Sequence, residues 1–286
     1  MKSGESGGVF AIFAALIAEP YKLQYNLILY MKPIFVFFIL IAICGNALSY
    51  DSEESTAILS MEKEAALGAQ VATQYQATLK LLNDPITLDY VTRLGNRLIS
   101  YSDAGRPVQF KLVNDDKADL CVLLGGYIFI NKGLILSAAN EAELASAIAY
   151  GTAHVSARHV ARMFEKALGY PINIIPASWM TFHWAGAYQI PSKRPEEGIF
   201  IQKKLELEQE ADKLAARFLL KSGYDPESYS KALEKLPKGP PLMASGMETR
   251  IYFSRAEART LPKKEDYITN SPEFDLVKSK LLLSRN

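Results

Sequence analysis

Cysteine is scarce in this chain of 286 residues: there are two, Cys44 and Cys121. If a leader carrying Cys44 is removed, no disulfide framework can form within one mature chain. Histidine is nearly as rare, with three, so any histidine ligand of a metal must be His154, His159 or His183. An excess of charge of either sign is missing too. The formal net charge is +1, which leaves no basic face or tail and argues against a nucleic-acid partner. No fixed-period repeat and no low-complexity tract beyond short proline-rich loops is present. The apolar runs Val9–Ala18 and Pro33–Cys44 are both too short to span a bilayer, which needs about 20 residues.

What is present is apolar material for one sizeable core: 49% of residues are hydrophobic. Met31-Lys32, the run Pro33–Cys44 and the small residues of Ala47-Leu48-Ser49 have the order of a secretory signal, with cleavage after Ser49. Residues 1–30 then read as an upstream extension, 31–49 as signal peptide or membrane anchor, and 50–286 as the folded domain. The chain is expected to be exported to the periplasm or envelope, with the N-terminus as its route to any membrane association.

Met61, Ala65, Gly68, Ala72, Tyr75, Leu79 and Leu82 recur at helical spacing, with Glu62 and Glu64 in the first turn. Asn83-Asp84-Pro85 stops that helix and starts another. The period changes to two at Val108, Phe110 and Leu112, and Gly125-Gly126 separates two short apolar runs, which predicts strands joined by a turn. Asn140 and Glu143 form a capping box that opens a long helix to about Leu168. Pro171, Pro176, Pro191 and Pro195 mark a long loop carrying Trp179, His183 and Trp184. A helix over about Glu197–Lys221 ends at Gly223, a left-handed cap. Helices follow around Glu227–Leu236, Glu248–Arg259 and Glu273–Leu283. The order is α+β: mostly helical, with a small antiparallel sheet. Cys121, in an apolar strand, reads as a buried small hydrophobe.

Residues 150–154, Tyr-Gly-Thr-Ala-His, stand in the frame of the zinc-protease motif His-Glu-x-x-His. A hydrolytic zinc site needs three protein ligands and one open position for water. Ligands four apart on a helix share a face, and a glutamate between them takes the proton of the metal-bound water. Here Tyr150 holds the first-ligand position and Gly151 the general-base position. Farther on comes Glu208-Gln209-Glu210-Ala211-Asp212. Taken alone, His154 is a core histidine and the acidic group is a helix face. Helical extrapolation puts His159 about 140° from His154, too far round to share an ion. Glycine inside a helix costs about 1 kcal/mol relative to alanine. His183, in the long loop, reads as a surface or core-edge histidine, with folding over the site as the alternative.

The order and spacing of several segments carry more. Gly125-Gly126-Tyr127-Ile128-Phe129-Ile130, Gly133-Leu134-Ile135 and Glu141-Ala142-Glu143-Leu144-Ala145 come before the motif. Ala157-Arg158-His159, Glu208-x-Glu210-Ala211-Asp212 and Ser222-Gly223-Tyr224-Asp225-Pro226 come after it. From about Met61 onward the chain resembles the zinc metallopeptidase family of the CAAX prenyl protease, HtpX and periplasmic BepA-like type. The resemblance implies a gluzincin-like domain with zinc as cofactor. It makes His154 the second histidine ligand, Glu208 the glutamate ligand and Asp212 the carboxylate that orients a ligating histidine. Asp119, Leu120, Cys121 and Val122 fall on the strand expected to hold substrate. The family's late His-Pro pair is replaced near Ala244-Ser245.

The expected function is an exported, catalytically degenerate family member that binds unfolded or extended envelope polypeptides along the sheet edge at Asp119–Leu124 without cutting them. An active or weakly active zinc endopeptidase is the alternative, with His154, Glu208 and a substitute ligand holding metal, and Asp212, Glu210 or bound hydroxide as base. A structural subunit of an envelope assembly complex fits the same residues.

Overall fold

The computed structural model describes residues 59–102, 107–167, 180–185, 195–236 and 241–284. The expected extension and leader at 1–49 lie outside these residues, as do 171–179 and 186–194 of the proline-rich stretch. Helix α1 (Met61–Gln76) starts where Ser60 Oγ accepts the Lys63 N–H. Helix α2 (Pro85–Ile99) starts where Asp84 accepts the Thr87 N–H and Pro85 supplies a fixed φ.

Four strands follow the switch to period two: β1 (Gln109–Val113), β2 (Leu120–Leu123), β3 (Tyr127–Asn131) and β4 (Phe182–His183). Their order is β1-β3-β2-β4. The turn at Gly125-Gly126 forms as expected and joins β2 to β3 antiparallel. The sheet is mixed, however: β3 inserts between β2 and β1 and runs parallel to β1. Gly68 lets α1 lie on this turn, because a Cβ there would fall 2.5 Å from the Leu124 carbonyl oxygen. Gly125 takes φ 79° at the same contact.

A short helix α3 (Lys132–Ser137) leads to α4 (Glu141–Ser156), capped as read. Asn140 accepts the Glu143 N–H, and the Glu143 carboxylate reaches back to the Ala139 N–H. Helix α4 is buried nearly all round, the mark of an interior helix. It stops at Ser156, well short of the expected end. Arg158 turns left-handed (φ 56°), and α5 (His159–Ala167) starts in a new direction. Arg158 Nε donates to Glu64 Oε2 at 2.8 Å, and its guanidinium also donates to the Leu59 carbonyl; these bonds offset the strained backbone.

Helix α6 (Pro195–Lys221) packs along α4. Gly223 (φ 91°) ends it as expected, with the Tyr224 N–H reaching back to the Leu219 carbonyl at 2.9 Å. Helices α7 (Glu227–Glu234), α8 (Pro241–Thr260) and α9 (Pro272–Leu283) complete the α+β domain. Among the described residues no helix is long and apolar enough to cross a membrane.

Candidate functional site

Tyr150 and His154 stand one turn apart on α4, and Glu208 and Asp212 one turn apart on the facing α6. Each of the four is at most 1% exposed. His154 Nε2 lies 3.6 Å from Glu208 Oε2, close to the ~3.4 Å that two tetrahedral zinc ligands would show at ordinary bond lengths. Nε2 has no hydrogen-bond partner among the described residues. The spacing of this pair is one that two ligands of a single ion could have.

The third donor is different. The Tyr150 hydroxyl lies 3.0 Å from the His183 carbonyl oxygen and 3.2 Å from Glu208 Oε1. One phenol proton cannot serve both acceptors. Burial, opposed by Arg250, pushes the Glu208 carboxyl up to about 8. At neutral pH the protonated carboxyl can therefore donate to the phenol oxygen, leaving the phenol to donate to the carbonyl. Burial, and next the Glu208 charge, raise Tyr150 well above the ordinary phenol range, which keeps it neutral and a poor metal donor. Burial also holds His154 neutral, with His159 and Arg250 acting in the same direction.

Arg250 of α8 is the residue the sequence reading missed. It is 2% exposed, and it grips Asp212 through Nε (3.0 Å to Oδ2) and Nη2 (2.7 Å to Oδ1). Tyr229 donates to the same carboxylate at 2.6 Å. Arg250 Nε lies 3.7 Å from Glu208 Oε2, and the guanidinium covers the Tyr150 ring at 4.9 Å. Two carboxylates on the buried face of one helix demand a cation. That demand was visible in the sequence; which arginine met it was not.

The helix break changes where His159 sits, although it still does not share a metal position with His154 Nε2. Because α4 ends at Ser156, the His159 Nδ1 comes to 2.9 Å from His154 Nδ1 and fixes that ring from behind. On its far side His159 Nε2 is 3.5 Å from Glu210 Oε2. Glu210 is held down to about 2 by His159 and Arg162, and its side chain is 43% exposed. It faces away from Glu208 and is no substitute base.

Residues 180–185, expected as loop, carry strand β4 and close the site. The Phe182 ring lies on His154 at 4.0 Å between centroids, and Trp184 packs on Tyr150 at 5.4 Å. Strand β4 pairs with β2 through Cys121↔His183 and Val122↔Phe182. Asp119, Leu120, Cys121 and Val122 therefore border an inner strand and do not form the expected free edge. At Gly151 an added Cβ would lie 3.2 Å from both Leu120 Cδ2 and Ile128 Cδ1. The glycine lets α4 approach the sheet, and any side chain there would have to displace the Leu120 and Ile128 methyl groups.

Among the described residues no three His, Cys, Asp or Glu side chains converge as a metal site. Two donors of ligand geometry, a neutral phenol and an aromatic lid do not fit a hydrolytic zinc centre, which needs a third donor and an open water position.

The frame nonetheless has relatives. The model for Peptidase family M48 matches residues 85–269. The chain is 31% identical to the beta-barrel assembly-enhancing protease of Yersinia pestis over 194 residues, covering 63% of this chain and 39% of that protein. It is 26% identical to the Escherichia coli K12 protein of the same name over 245 residues, 78% of this chain and 49% of that one. A putative member from Vibrio cholerae is 30% identical over 228 residues, 71% and 46%. The chain thus spans half or less of the length of these curated relatives. With the α4–α6 pair, the mixed sheet and a family match across most of its length, the chain belongs to peptidase family M48.

Proposed function

We propose that this chain is an exported, catalytically degenerate member of its family that binds unfolded or extended envelope polypeptides without cutting them. The observation that carries the loss of chemistry is Tyr150. Its neutral hydroxyl, tied to Glu208 and the His183 carbonyl, takes the place of a third metal donor. Gly151 leaves nothing to take a proton from water, and Phe182 covers the face of His154. Polypeptide binding is supported by family membership and by relatives named for enhancing beta-barrel assembly.

Strand addition at β2 does not serve this reading. Met180, Phe182 and Trp184 are 4%, 0% and 2% exposed, and withdrawing two buried aromatic side chains costs several kcal/mol. A new strand would return about 1 kcal/mol per hydrogen bond. Strand β4 stays, and polypeptides must meet another surface.

The ligand-like spacing of His154 and Glu208 supports a second reading, a weakly active zinc endopeptidase with a substitute ligand. Metal content and cleavage of casein by the purified chain separate the two. The degenerate reading expects zinc far below one per chain and no chelator-sensitive cleavage. Stoichiometric zinc with cleavage abolished by chelator would establish the alternative.

A further inference from the structure

Helix α8 carries two stripes with different surroundings. Met247, Arg250, Ser254 and Ala258, three and four residues apart, are each at most 8% exposed and face inward, where Arg250 holds Asp212. Roughly a third of a turn round the same helix, Glu248, Tyr252, Arg255 and Arg259 are all exposed. Tyr252 keeps 68% of its surface, and its ring meets Phe253 edge-on at 5.3 Å between centroids. With Ile251 and Ala256 on the flanks, the four residues line a hollow of about 380 Å³.

This outer stripe is its own complement. Its spacing of four, three and four is that of the seam between two paired helices. It is symmetric about the point between Phe253 and Ser254: Glu248 and Arg259 lie equally far on either side, and so do Tyr252 and Arg255. The side chains of Glu248 and Arg259 have no ion-pair or hydrogen-bond partner among the described residues. They stand about 16 Å apart along the axis, too far to pair with each other. Arg255 is already held by Glu234 of α7, which lowers the cost of ordering it against a partner.

A partner of one charge sign would satisfy only one end of the stripe. A second α8, run antiparallel across a two-fold axis at the midpoint, satisfies both. Glu248 then faces the partner's Arg259 at each end, and Tyr252 stacks on the partner's Arg255 twice in the middle. A parallel copy in register would instead set like charges together. We propose that the outer stripe of α8 is a homodimer interface, an antiparallel α8–α8 pair between two copies of this chain. One helix pair buries well under the ~1,600 Å² of a standard interface, so association is weak, with a dissociation constant of about 10–100 µM. Because Arg250 projects inward from the same helix, the dimer braces the element that holds Asp212.

Sedimentation velocity of the purified full-length chain over roughly 1–300 µM, a range that brackets this constant, tests the proposal. A reversible dimer that weakens with added salt is expected. Glu248→Arg and Arg259→Glu, at exposed positions where stability changes little, each turn both end contacts into like-charge pairs. Each should raise the dissociation constant by about tenfold or more. Mixed one to one, the two variants should form a heterodimer at about the wild-type affinity, since opposite charges face each other again at both ends. Thermal melts check that the variants are folded. If either is not, Tyr252→Ala supplies an uncharged variant with the same expected loss. A monomer at every concentration, a dimer that no variant weakens, or two folded charge variants that stay apart when mixed would overturn the proposal.

Discussion

At position 150 a single hydroxyl proton organises the buried polar group. Replacing Tyr150 with Phe keeps the ring against His154, Trp184 and the Arg250 guanidinium but removes the link between Glu208 and the His183 carbonyl. The expected loss is about 1–3 kcal/mol in chemical denaturation, the cost of buried groups left unsatisfied. Metal content should not change. Gly151 gives the complementary case. With Leu120 and Ile128 already at 3.2 Å from a notional Cβ, Gly151→Glu forces a carboxylate among methyl groups. We expect a loss of more than about 3 kcal/mol or failure to fold, with no gain of peptidase activity. A soluble, well-folded Gly151→Glu protein would show that the helix–sheet gap is wider than described.

Between the elements, α6 carries two buried carboxylates and α8 answers with one guanidinium. Asp212 holds that cation bidentately, leaving Glu208 a partner mainly when it is protonated. The folded-state value of Glu208, about 8, lies above the 4.5 of an unperturbed group. Its contribution is therefore fully present below pH 4.5 and is lost as pH rises through 8. Glu208→Gln, neutral at every pH, should remove that loss. The variant should gain on wild type by roughly 1 kcal/mol per pH unit between pH 5 and 8, read from paired thermal melts. A parallel pair of pH profiles would mean that Glu208 is already ionised in the fold.

Legibility divided along the same elements. The frame of Tyr150, His154, Glu208 and Asp212 could be read because the resemblance named the positions and helical spacing sets each pair one turn apart on one face. His159 was misplaced because one left-handed residue, Arg158, ends α4, and nothing local marks an arginine for that conformation. Strand β4 was hidden because two residues leave no period to detect, and its stability comes from the aromatic burial of Phe182 and Trp184. Arg250 was missed because its role depends on packing between helices far apart in sequence.

For the molecule as a whole, family membership extends over residues 85–269, while the rings of Phe182 and Trp184 pack on His154 and Tyr150. On the proposed reading the loss is local to Tyr150, Gly151 and the side chains around them, because the interior helix, its cap and the sheet are all formed. Export, polypeptide binding and any assembly role belong to the proposal. They rest on relatives that the chain matches over half of their length or less. Zinc-linked stability tests the central claim most directly. Thermal melts of the purified chain in chelator and in micromolar zinc should coincide. A functional site would instead add about 2.7 kcal/mol at a hundredfold excess over its dissociation constant, visible as a rise of a few degrees. Such a rise, saturable and abolished in His154→Ala, would contradict the metal-free reading.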